Sequence, residues 1–133
     1  MNRHLYLRAY MAGIAVPTVF FLIAMFAFTL ANYRDASVPI DRVIVFPMVL
    51  IPNFWGAWNV LYAWLNRHRQ IPIGLHGAAL VVLIVPIGFG VAKLLGFVFV
   101  AHDLLIGPAV ALIVYYLLWK YVVSFLNRVV DIA

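Results

Sequence analysis

The chain has 133 residues, 68% of them hydrophobic and 10% charged, with no cysteine and a formal net charge of +5. Soluble domains are about half apolar and a quarter charged, so this composition excludes a water-soluble domain, and the length leaves no room for a separate catalytic module. Lacking cysteine, the chain has no disulfide, thiolate metal site, iron–sulfur cluster or thiol nucleophile.

A hydrocarbon core about 30 Å thick needs about 20 apolar residues of helix. Four runs reach that length, which predicts an all-α membrane protein: an up-down-up-down bundle of four transmembrane helices in a single integral-membrane domain, 1–133. The first run, 9–31, follows Arg3 and Arg8 and reads as a signal anchor, being too long for a signal-peptide core. The second, 43–65, is reached through the polar loop 32–42 and ends at Asn-Arg-His-Arg-Gln. The third, 72–100, begins on a proline suited to a first helical turn and is long enough to require tilt or a kink near Pro86, Gly88 and Gly90. The fourth, 104–126, follows so closely that 101–103 should form the whole turn, with Asp103 as N-cap and the last two helices an antiparallel hairpin.

The nine Lys/Arg are scattered in ones and twos, seven of them at or beyond the ends of these runs. That scatter gives topology and affinity for anionic lipid, whereas nucleic acid needs a clustered basic face. Arg3, Arg8, Arg67, Arg69 and Arg128 fall on one side and Arg34 and Arg42 on the other, so both termini are expected in the cytoplasm, with a bacterial plasma membrane as the setting. Each run carries a proline (Pro17, Pro47 with Pro52, Pro86, Pro108), which frees a carbonyl four residues earlier that a neighbour must satisfy. Small residues four apart, Ala9/Gly13, Gly88/Ala92/Gly96 and Gly107/Ala111, allow close helix contacts within the chain or with another subunit.

The second run departs most from a lipid-facing pattern. PNFWGAWNVLYAW, 52–64, holds two asparagines, a glycine, three tryptophans and a tyrosine. Wound as a helix, Trp55, Asn59, Tyr62 and Asn66 share one stripe, and Asn53, Gly56, Ala57, Val60 and Ala63 another. Asn53, Trp55, Trp58, Asn59 and Tyr62 are therefore candidate contact residues for a partner or ligand. The plainer expectation is that the asparagines fix this chain's own packing and cap carbonyls freed by Pro47 and Pro52.

Lys93 and Lys120 are the two charges expected inside spans, Lys93 about two helical turns from the outer end of its run. Both can snorkel to headgroups, and all four acids (Asp35, Asp41, Asp103, Asp131) lie in loops or at ends. A proton-coupled pump needs an intramembrane titratable group that alternates with substrate, and no span offers a carboxylate. Of the histidines only His76, one turn inside the third run, is placed to reach a haem or pigment. No metal set, nucleophile elbow or phosphate-cradling loop appears, so no enzyme is expected. Three functions remain: a non-catalytic subunit of a larger membrane complex or homo-oligomer, a small oligomeric channel or carrier for an anionic or lipid-like solute, and a quinone- or haem-holding anchor of a redox enzyme.

Overall fold

The structure is a computed structural model that describes residues 4–32, 46–94, 96 and 103–132. Helix α1 spans Leu5–Asn32, α2 Phe46–Leu65, α3 Ile73–Leu94 and α4 Asp103–Leu117. A π-helical turn, Leu118–Val123, then joins α4 to the short α5, Ser124–Val129, without a break. There is no strand among the described residues. Three stretches are long and apolar enough to cross a membrane: Leu5–Ala31, Ile73–Leu94 and Leu105–Val129. Helix α2 has the length, at 20 residues, but Pro47, Pro52, Asn53, Asn59 and its tryptophans dilute its apolar content.

The helix ends differ from expectation in ways the backbone explains. Helix α3 stops at Leu94, well short of Val100, because Gly96 takes a left-handed φ of 86° and returns its N–H to the carbonyl of Lys93 at 3.1 Å. Glycine tolerates that conformation at no steric cost and so ends the helix. Helix α4 starts at Asp103 itself, the expected N-cap, and the rest of the expected turn, 101 and 102, lies outside the described residues. The last helix closes on a Schellman pair: Ile132 N–H to the Asn127 carbonyl at 2.8 Å, and Asp131 N–H to the Arg128 carbonyl at 3.2 Å. Asp131 supplies the left-handed residue, φ 54°.

The π turn has a packing reason. Trp119, Val123 and Asn127 are all fully buried and lie four apart. On an α-helix each step of four drifts about 40° round the axis, so three such residues would fan away from one line. One wide turn takes that drift back and keeps all three on the core side.

The chain packs only part of each helix. Among the described residues, burial ends at Pro17 in α1 and Val81 in α3, and begins at Pro52 in α2 and Trp119 in the fourth rod. The glycines divide the same way. A methyl group on Gly13 would meet the Trp55 carbonyl at 2.6 Å and the Gly56 Cα at 2.9 Å, one on Gly74 would meet the Tyr116 ring at 2.8 Å, and one on Gly77 would run into Trp119. Gly88, Gly90 and Gly107 meet no described atom within 4 Å. The first set lets backbones and large rings approach closely; the second has no such use within the described chain.

Candidate functional site

The centre of the packed region is an amide pair. Asn59 Nδ2 donates to Asn127 Oδ1 at 2.8 Å and Asn127 Nδ2 donates back to Asn59 Oδ1 at 3.0 Å, while the second Asn59 N–H reaches the Ala9 carbonyl at 2.7 Å. Both side chains are fully buried. One residue of α2 is thereby tied to α1 and to α5. Buried amides must be satisfied in this way, because an unmet donor costs about 1–3 kcal/mol.

A second reciprocal contact joins α2 to α3. Trp58 Nε1 donates to the His76 carbonyl at 2.8 Å, and His76 Nε2 faces the Trp58 carbonyl at 3.0 Å. A carbonyl only accepts, so Nε2 carries the proton. The two rings stack with centroids 4.9 Å apart, and Tyr62 and Trp119 close round the imidazole at 5.3 and 5.6 Å. The nitrogen that a haem iron would take is thus engaged within the chain, and aromatic rings occupy the space around it.

Trp55, Asn59 and Tyr62 are buried in the chain's own core, with Trp55 against Tyr115 and Trp119 at 4.9 and 5.5 Å. Asn53 is exposed; it accepts from Tyr10 Oη and its Nδ2 donates to the Val49 carbonyl at 2.6 Å, one residue on from the Met48 carbonyl that Pro52 frees. Lys93 sits in the last turn of α3, not two turns inside it, because the helix ends sooner. A cation there is favoured by the exposed carbonyls of the helix end. Lys120 is exposed on the π turn with its Nζ over the Tyr116 and Tyr121 rings at 5.6 and 5.4 Å, a cation–π arrangement.

Charge collects where α1 begins and α5 ends. Arg8 lies 3.9 Å from Asp131, and Arg67 sits over the Tyr6 ring at 5.5 Å. Away from that end lies a cavity of about 280 Å³ lined by Val16, Pro17, Phe20, Phe21, Ile51, Trp55, Val114, Tyr115 and Leu118. Neither lysine lines it.

Sequence reasoning missed Asn127, Gly74 and Gly77. The signal for Asn127 was the four-residue spacing Tyr115–Trp119–Val123–Asn127, which places an amide at the end of an aromatic and apolar line.

Three helices of spanning length, a core built on paired amides and interlocked rings, and apolar outer surfaces define a helical membrane protein. Compared with known proteins, the chain matches no family model, no curated protein and no solved structure.

Proposed function

We propose that the chain is a small non-catalytic subunit, a four-span, up-down-up-down protein of a bacterial plasma membrane that works by assembling with another membrane subunit or with copies of itself. The observation that carries this reading is the division of the glycines. Membrane helices associate through small residues that let backbones approach. In the packed part Gly13, Gly56, Gly74 and Gly77 are each filled by a neighbour, whereas Gly88, Gly90 and Gly107 lie on stretches that the described chain leaves uncovered. A second membrane helix against them would use what this chain does not. Both termini in the cytoplasm accord with Arg8, Arg67 and Arg128 gathering at one end beside Asp131.

Extraction in mild detergent, followed by light scattering and mass analysis of what coelutes, tests the proposal. The native protein should run as an oligomer or with a second chain, and Gly88→Leu or Gly107→Leu should release a helical monomer. A wild-type monomer with nothing bound would sink it. The lipid-like carrier is the second reading, and the apolar cavity favours it.

A further inference from the structure

The cavity lies between α1, α2 and α4 at the level where each is half-way along. Val16, Pro17, Phe20 and Phe21 bracket the middle of α1, Ile51 and Trp55 lie at or just before that of α2, and Val114, Tyr115 and Leu118 surround that of the rod from Asp103 to Val129. For a chain lying across a bilayer, this is the depth of acyl chains, far from headgroups and water.

We infer that this cavity holds the terminal stretch of one hydrocarbon chain of a membrane amphiphile, whose headgroup stays at the interface. Three observations carry the assignment. The space, about 280 Å³, is nearly twice the roughly 150 Å³ of an apolar cavity that stays dry and takes up benzene, so it accommodates a length of chain but no headgroup. Its walls are apolar side chains and ring faces from three helices. Two polar groups sit on lining side chains: Trp55 Nε1, which is buried, and the Tyr115 hydroxyl, whose ring lies against the Trp55 indole at 4.9 Å. A quinone ring or other carbonyl-bearing group placed here would lose its hydrogen bonds to water and find at most the Tyr115 hydroxyl in return, at roughly 2–7 kcal/mol for each bond left unmade. A hydrocarbon chain has nothing to lose. The inference stands on the cavity and needs no assembly partner.

The test is photolabelling of the purified full chain in phosphatidylcholine nanodiscs, using phosphatidylcholine with a diazirine near the end of one acyl chain, read by peptide mapping. Labelling at Pro17, Ile51 and Leu118, the more sheltered of the lining residues, should saturate as the probe increases, while labelling at exposed Phe26 and Ile106 should rise in proportion to it. Competition identifies the source of the chain: displacement by a straight-chain fatty acid assigns an ordinary acyl chain, and displacement only by a methyl-branched prenol assigns an isoprenoid. Filling the space by Val114→Trp, or by Ile51→Phe should that variant lose its helicity, should abolish the saturable label and leave the Phe26 and Ile106 label intact. Wild-type labelling that does not saturate, or that neither competitor displaces, overturns the inference without any variant.

Discussion

Replacing Asn127 with leucine probes the centre of the fold most directly, since it keeps the branched shape of the side chain and deletes the amide. The change removes two hydrogen bonds to Asn59, at 2.8 and 3.0 Å, and leaves Asn59 with only the Ala9 carbonyl. Interhelical hydrogen bonds in membranes are worth about 0.6–2 kcal/mol each, so the two together contribute about 1–4 kcal/mol. The single variant also strands the Asn59 oxygen in a fully buried site, which adds about 1–3 kcal/mol. Asn59→Leu additionally loses the bond to Ala9. That loss is common to Asn59→Leu and the double variant, so it cancels in a double-mutant cycle and the coupling reports the amide pair together with the cost of stranding either amide. Equilibrium unfolding by sodium dodecyl sulfate in mixed micelles, followed by far-ultraviolet circular dichroism, measures all four stabilities. The double variant should be more stable than the sum of the singles predicts by at least about 1–4 kcal/mol, with the amide stranded in each single variant adding about 1–3 kcal/mol. Additivity within about 0.5 kcal/mol would show that the amides are independent and refute the pairing.

Gly77→Val should prevent stable packing of α3, because the added carbons collide with Trp119 close to its backbone, whereas Gly107→Val should leave monomer stability within about 0.5 kcal/mol of wild type in the same titration. Trp58→Phe retains the stacked ring but loses the bond to the His76 carbonyl, and should reduce stability by about 0.6–2 kcal/mol; no change would mean that the indole N–H is not used. Asp131→Gly should match or exceed wild-type thermal stability, while Asp131→Ala should fall below the glycine variant by about 1–2 kcal/mol, because φ is 54° there. The 3.9 Å contact with Arg8 does not reverse that order, the Asp131 side chain being 84% exposed.

Much of this arrangement could be read from residue type, and what could not shares a cause. The density of tryptophan and asparagine in 52–64 marked α2 as a contact surface; Trp55, Asn59 and Tyr62 are buried in the chain's own core, and Asn53 is exposed. Their neighbours were illegible because they are distant in the chain: Asn127 lies 68 residues from Asn59 and sits at a run's end, where a polar residue invites no question. Nothing in the sequence around Gly74 and Gly77 announces that Tyr116 and Trp119 stand over them. Lys93 was placed about two turns from the outer end of its run because hydropathy continues to Val100, while the helix ends on the conformation of one glycine, Gly96. Apolar periodicity finds rods and their faces; it does not find a backbone reversal within an apolar run or the mate of a lone amide.

The distance between the two amides also bears on how the protein is made. At roughly 5–20 residues per second, the ribosome needs several seconds to go from Asn59 to Asn127. Through that interval Asn59 is in the translocon or the bilayer with the Ala9 carbonyl as its sole acceptor, so the nascent α1–α2 hairpin carries an unmet oxygen. A message truncated before codon 127 would never relieve it, and membrane quality-control proteases would meet a hairpin permanently missing its clasp.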